Sequence, residues 1–210
     1  MICSQADRER IDKENMMDEF DPTKAEQFNV EAEAVFSYMQ VVTAIAVMFA
    51  HGSNEVGYAT GPLATIYAVI EANTSTGSIS PLSSTVVPDY WIIALCAGGL
   101  VCGLGFYGQK LTIATGFKLA KLSASRGFCA ELATAVTITL AAQYGLPTSS
   151  SQCITGAIVG VGLAEGADVG VNWRYFFTNF IAWAFTLVII GTITAAVYSE
   201  GAYAPLENNP

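Results

Sequence analysis

The sequence predicts an all-α integral membrane fold, and three observations carry that prediction. Of 210 residues, 52% are hydrophobic and only 13% charged, where a soluble domain carries about 25% charged residues. Apolar runs at Val35 to Ala50, Tyr90 to Tyr107, Gly127 to Tyr144 and Tyr175 to Tyr198 approach the roughly 20 residues that carry a helix across a hydrocarbon core. Amid this oily sequence lies a polar knot, Leu146-Pro147-Thr148-Ser149-Ser150-Ser151-Gln152. Thr and Ser cap helix starts and Pro favours the first helical turn, so the knot reads as the tip of a helical hairpin whose second helix begins at the hydroxyls. A helix start offers unpaired N–H groups and the positive end of the dipole, which suit an anion. Irregular backbone at bilayer depth must border protein or a water-filled cavity. The expectation is therefore an anion site near the membrane midplane, built on broken helices.

Residues 1–34 hold ten acids and four bases, against eight acids and five bases in all the rest. They lack apolar periodicity and form an acidic arm. Residues 35–198 are the membrane part and 199–210 a short tail. The amino terminus has no basic stretch leading into an apolar core, so it does not read as a signal peptide. A beginning on an acidic arm suggests the tail of something longer. No basic face is present to neutralise phosphates, which excludes nucleic acid as a partner. The cysteines at 3, 96, 102, 129 and 153 lack the paired short spacings of a zinc site or disulfide framework, and are expected to pack in a helical core.

From Val35 the sequence is apolar until His51-Gly52-Ser53-Asn54-Glu55-Val56-Gly57, then apolar again to Ile70 with Gly61-Pro62 inside. That run is too long for one clean span and too broken for two, so an interrupted helix unwound near Gly52 to Gly57 is predicted. Residues 71–88 read as a turn-rich loop. The span that follows carries Gly99 and Gly103, a Gly-x-x-x-Gly pair that lets another helix approach. Residues 109–126 form a polar loop with Lys110, Lys118, Lys121 and Arg126, and the hairpin occupies 127–167, with Gly156, Gly160 and Gly166 on its second limb. Tyr175 and Tyr198 border the last span as interfacial aromatics. By the positive-inside rule the 109–126 loop and the arm are cytoplasmic and the 71–89 loop, with the sequon Asn73-Thr74-Ser75, lies outside. Charge does not decide between a re-entrant hairpin and two full spans.

Glu55 and Glu131 fall within apolar segments, where a carboxylate usually faces a cavity, an ion or a partner. Glu55 stands beside Asn54 in the expected break, where side-chain oxygens and freed carbonyls suit a small cation. The alternative is a protonated or paired structural Glu. His51 precedes Glu55 by four residues and shares its face if the helix continues, either as a relay or as a packing residue. Glu131 fits a site residue or a first-turn acid complementing the dipole. Three adjacent hydroxyls after a proline, Ser149, Ser150 and Ser151, are more than one cap requires and point to substrate contact. No nucleophile–base pair or metal cluster is visible, so an enzyme is not indicated.

Phe49-Ala50-His51-Gly52-Ser53-Asn54-Glu55-Val56, with Gly61-Pro62-Leu63, resembles the His-Gly-Ala-Asn-Asp-Val signature of the inorganic phosphate transporter (PiT) family. Ser125-Arg126-Gly127-Phe128-Cys129-Ala130-Glu131-Leu132-Ala133 and Gly145-Leu146-Pro147-Thr148-Ser149-Ser150-Ser151-Gln152-Cys153 resemble its hairpin motif. Roughly residues 30–198 are similar to the second half of a eukaryotic, sodium-coupled member. The resemblance implies two inverted-topology halves, each with a broken helix and a re-entrant hairpin. It implies phosphate held by Ser149 and Ser150 with Ser151 adjacent, cation coordination at Asn54 and Glu55, and a transport requirement for Glu131. Glu55 replaces the commoner Asp, Gln152 the usual His, and Tyr58 a common Asn. The implied activity is symport of inorganic phosphate with sodium, or with protons, across the plasma membrane, without other cofactors or metals. The implied partners are lipid and the missing N-terminal repeat, which completes the phosphate cage; self-association is left open. Two alternatives fit the same residues: a non-transporting membrane subunit or receptor-like half, and a symporter of another oxyanion such as sulfate.

Overall fold

The computed structural model describes residues 28–76, 86–108, 115–116, 118–166 and 170–203. Among the described residues five α-helices run in chain order: α1 (Val30–Thr76), α2 (Tyr90–Gly103), α3 (Ala124–Gln143), α4 (Ser150–Glu165) and α5 (Trp173–Tyr203), with a π-helical turn at Leu104–Gly108 after α2. The arm through residue 27, with Cys3, and residues 77–85, Lys110 and the tail from 204 lie outside the described residues. Two units divide between Val171 and Asn172.

The largest departure from expectation is α1, which runs unbroken for 47 residues, about 70 Å at 1.5 Å per residue. The predicted unwinding at Gly52 to Gly57 does not occur, and residues 71–76 of the expected loop at 71–88 are helical. Glycine permits a break at a cost of about 1 kcal/mol per helical position, but does not compel one. The polar side chains of this stretch are satisfied without opening the backbone. Ser53 Oγ donates to the Ala50 carbonyl at 3.0 Å, and Thr60 Oγ1 donates to those of Val56 and Gly57 at 2.9 and 3.2 Å. Pro62 also lies inside the helix, removing the N–H that the Tyr58 carbonyl would otherwise accept.

Helix α3 packs along α1, α4 folds back on α3, and α2 lies against another part of α1. The buried side chains are mostly small: Ala50 and Ala64 on α1, Ala130, Thr134, Ala135 and Ala141 on α3, Thr155 on α4. Small residues let helix backbones approach closely where polar contacts must also form. Larger contacts fasten the edges. Phe36 meets Phe128 at 5.6 Å between centroids, and Tyr67 meets Trp91 edge to face at 5.3 Å. The expected core cysteines are not buried: Cys102 and Cys129 are exposed, Cys96 and Cys153 half-buried. They sit on apolar helix faces that the described chain leaves uncovered. Gly99 and Gly103 likewise have no neighbour within 4 Å of an added Cβ.

The hairpin starts three residues earlier than expected, at Ala124, and this changes the role of Arg126. It is a buried residue of α3, 6% exposed, paired with Glu165 at the end of α4, and its guanidinium lies 4.6 Å from the Phe28 ring centre. It therefore adds nothing to a solvated basic loop. Nearby, Glu33 of α1 caps the start of α3 from outside. Its carboxylate accepts from Ser123 Oγ at 3.1 Å, from the Ser125 N–H at 3.2 Å and from Ser125 Oγ. Ser123, the N-cap, makes no side-chain capping bond to a backbone N–H of α3; its hydroxyl pairs with Ser125 Oγ at 3.0 Å.

Close packing on α4 occurs at Gly162, not at Gly156 or Gly160, which face open space. A Cβ on Gly162 would stand 2.5 Å from the Gly170 carbonyl oxygen and 2.7 Å from Val171 Cγ2. Backbone cannot swing aside as a side-chain tip can, so Gly162→Ala forces a shift of the kind that costs about 1–3 kcal/mol. A lowered thermal unfolding midpoint in detergent is expected; Gly160→Ala should leave it unchanged. Equal midpoints for the two variants would disprove the close approach.

Helix α5 is taken by itself. Asn172 caps it, its side chain accepting from the Tyr175 N–H at 3.0 Å, so the helix begins two residues before the expected border. Trp173, Phe176 and Phe177 stack edge to face or tilted near its start. Beyond them Phe185, Leu187, Val188, Ile189 and Ile190 are all exposed. A helix apolar all round belongs in a protein core or a membrane. By length and composition α1 and α5 can each cross one.

Candidate functional site

The site is built where the tip of the α3–α4 hairpin meets the middle of α1. Helix α3 ends at Gln143, and Gly145 turns the chain with φ of 66°. That left-handed conformation is open to glycine and strained for most other residues. The Leu146 N–H then donates to the Ala141 carbonyl at 2.8 Å, closing the turn. Residues 146–149 are irregular, and α4 starts at Ser150 with Ser149 as N-cap. The second helix therefore begins at the hydroxyls, as expected, whereas Pro147 precedes the cap instead of occupying the first turn. Its ring favours extended backbone for the residue before it, which suits a connection leaving one helix before the next begins.

The adjacent hydroxyls have different surroundings. Ser149 Oγ accepts from the Gln152 N–H at a long 3.5 Å, a weak capping bond. Ser150 is 1% exposed. Its hydroxyl donates to Glu55 Oε1 at 3.0 Å and accepts from Asn54 Nδ2 at 3.2 Å. Ser151 is exposed. Thr148 Oγ1 is a buried atom with no hydrogen-bond partner among the described residues.

Asn54 and Glu55 reach this tip from neighbouring positions on the unbroken α1. Asn54 is 8% exposed, and its amide also donates to the Thr148 carbonyl at 3.0 Å. Tyr58, one turn further along, donates its hydroxyl to the same carbonyl at 2.8 Å and accepts from the Thr148 N–H at 2.6 Å. Both polar groups of the Thr148 residue backbone are thus engaged by α1. His51 is half-buried one turn before Glu55.

Glu131 lies apart from this cluster. Two turns into α3, its carboxylate accepts from Thr43 Oγ1 at 2.7 Å and from Gln40 Nε2 at 3.5 Å. Thr43 precedes Asn54 by about three helical turns, roughly 16 Å along the α1 axis. Of the residues singled out in the sequence, Asn54, Glu55 and Ser150 come together with Ser149 adjacent, and Glu131 forms a second polar contact between α1 and α3. Tyr58 was missed as a site residue. Its spacing of four from Asn54 places both on one helix face, a signal lost once a break was expected between Gly52 and Gly57.

The groups gathered here include donors suited to an anion and oxygens suited to a cation. The first turn of α4 presents serine hydroxyls and main-chain amides, an anion-binding arrangement. Glu55 and Asn54 supply the hard oxygen donors that small unpolarisable cations take. Among the described residues no three His, Cys, Asp or Glu side chains gather as a metal cluster. A serine-rich helix start held against a carboxylate and an amide, midway along an apolar helix, describes a helical membrane protein with an internal polar site.

Comparison with known proteins narrows that class. Residues 14–194 match the phosphate transporter family, and the chain belongs to it. The phosphate-repressible phosphate permease pho-4 of Neurospora crassa is 37% identical over 181 residues, covering 86% of this chain and 30% of the permease. Sodium-dependent phosphate transporter 1 of Homo sapiens is 35% identical over 181 residues, covering 86% of this chain and 26% of the relative. A solved structure described as the sodium-dependent phosphate transporter superposes with a TM-score of 0.67 at 34% identity, over 82% of this chain and 42% of that one. The chain therefore spans about a quarter to a third of the curated relatives it matches. Its family is one of transporters, in keeping with the sequence reading that it is not an enzyme.

Proposed function

We propose that this chain forms the second repeat of a sodium-coupled phosphate symporter and supplies half of its substrate site. The observation that carries the assignment is the Ser150 hydroxyl, buried at the start of α4 and bonded to both Glu55 and Asn54. Phosphate binds at the first turn of α4 through Ser149, Ser150 and Ser151, and sodium binds at Glu55 and Asn54.

Electrostatics links the two ions. Like unit charges 4 Å apart repel by about 4 kcal/mol at an effective dielectric of 20, more than a single hydrogen bond returns. Phosphate beside an ionised Glu55 is therefore poorly held until a cation neutralises the carboxylate. Family membership and the sodium dependence named for its relatives support sodium as that cation. Glu131 serves as a second coupling carboxylate nearer the α1 amino terminus, and His51 as a relay beside Glu55. The missing N-terminal repeat completes the cage. The membrane is the plasma membrane, with the N-terminal arm cytoplasmic.

Labelled-phosphate uptake by the complete gene product in proteoliposomes tests the assignment. Uptake should require an inward sodium gradient and resist competition by sulfate. Uptake driven equally by a proton gradient would move the coupling ion to H+, and competition by sulfate would move the substrate to another oxyanion. Partner binding without any uptake would leave a non-transporting subunit.

A further inference from the structure

Tyr58 is a departure from the signature around it, and nothing in the symport assignment uses it. The residue is 43% exposed, yet its hydroxyl makes two bonds to one residue of the tip, as donor to the Thr148 carbonyl at 2.8 Å and as acceptor from the Thr148 N–H at 2.6 Å. Thr148 immediately precedes the N-cap of α4. Its backbone is therefore a place where α1 can act on the start of α4 from outside the helix. The tip is joined to α1 by two kinds of contact. Asn54 and Glu55 bond to Ser150, a residue 1% exposed, and Asn54 also donates to the Thr148 carbonyl at 3.0 Å. The Tyr58 bonds sit at the exposed edge of the tip.

We propose that Tyr58 is a positioning residue for the anion site, its hydroxyl fixing the Thr148 backbone and so the stance of the first turn of α4 against Asn54 and Glu55. This rests on the assignment of phosphate to that turn. The tyrosine touches neither ion in this account. It acts through Thr148, keeping the amides of Ser150 and Ser151 and the Ser150 hydroxyl in one orientation before the anion arrives. A site held ready in advance binds more tightly than one that must be ordered on binding. Chemically, a long aromatic arm with a terminal hydroxyl suits the task. It spans from α1 to the tip, and one oxygen serves as donor and acceptor at once.

Tyr58→Phe removes only that oxygen and keeps the ring, so the fold has little reason to change. In proteoliposomes of the complete gene product, the apparent KM for phosphate should rise about three- to tenfold, the worth of one exposed hydrogen-bond pair. The maximal rate should change less than twofold, and the sodium dependence should persist. Amide exchange at residues 144–150 should accelerate in the same variant, because the Thr148 N–H loses its acceptor. An unchanged KM beside faster exchange would overturn the proposal, leaving Tyr58 a merely structural contact. A fall in maximal rate at constant KM would overturn it as well. Wild-type protein is measured alongside: no uptake there rejects the symport assignment itself, whereas uptake with an indifferent Tyr58→Phe rejects only the role of the tyrosine.

Discussion

Replacing Glu55 by Gln should reduce sodium-driven phosphate uptake by the complete gene product by about two to three orders of magnitude. The reason is specific to charge. Gln retains an oxygen that can accept from Ser150 Oγ, the bond seen at 3.0 Å, so the tip stays docked on α1. What disappears is the negative charge that, on the proposed assignment, draws sodium and, when sodium is absent, repels phosphate. Removing a repulsion of about 4 kcal/mol while losing the cation site separates binding from coupling. Phosphate affinity of the variant, measured by calorimetry in detergent, should therefore cease to respond to sodium, where the unaltered protein tightens as sodium is added. Glu55→Asp keeps the charge on a shorter arm and should retain sodium dependence at a weaker sodium affinity. If Glu55→Gln transports phosphate with its usual sodium dependence, the cation is bound elsewhere and the assignment to Glu55 and Asn54 fails.

The parts of this site legible in the sequence are those decided locally. The start of α4 at the hydroxyls follows from chemistry within a few residues, and the structure places Ser149 as its N-cap. The proximity of Glu55 to Ser150, which are 95 residues apart in sequence, was expected from the resemblance and from the cost of a lone carboxylate in an apolar run. The continuous α1 was not legible. Glycines and polar residues between His51 and Gly57 look like a break when only their own stretch is considered. They remain helical because Asn54, Glu55 and Tyr58 find their partners on the hairpin, a tertiary effect that overrides local propensity. Arg126 was read as a loop base for the same reason: its partner Glu165 lies across the hairpin, beyond the reach of any local pattern. Glu131 shows the limit of motif reasoning. The motif flags the carboxylate, yet only the packing of α3 on α1 shows that it meets Gln40 and Thr43 instead of the tip.

The pairing of Arg126 with Glu165 leads to the largest expected effect on stability. The two side chains are 6% and 13% exposed and lie at the opposite end of the hairpin from its tip, one near the start of α3 and one at the end of α4. Breaking a buried ion pair from one side leaves an uncompensated charge, which costs about 3–5 kcal/mol. Arg126→Met should therefore destabilise strongly, exposing Glu165 to burial without its cation and also removing the guanidinium from the Phe28 ring. Glu165→Gln should cost less, because the guanidinium keeps that ring and Gln keeps a hydrogen-bonding oxygen. Joining Arg126→Met to Glu165→Leu replaces the pair by apolar volume, an exchange that is often neutral when both charges leave together. The double variant should then recover most of the loss, and chemical unfolding of the unaltered protein, Arg126→Met, Glu165→Leu and the double variant in one detergent gives the coupling directly. Additive losses in that cycle would show two independent, solvated charges, and the two limbs would then be held by apolar packing alone. With the pair intact, the hairpin is tied at its base by charge and at its tip by the bonds to α1. Recovery of stability in the double variant should bring phosphate uptake back with it, since the tip contacts of Ser150 and Thr148 are untouched by either substitution.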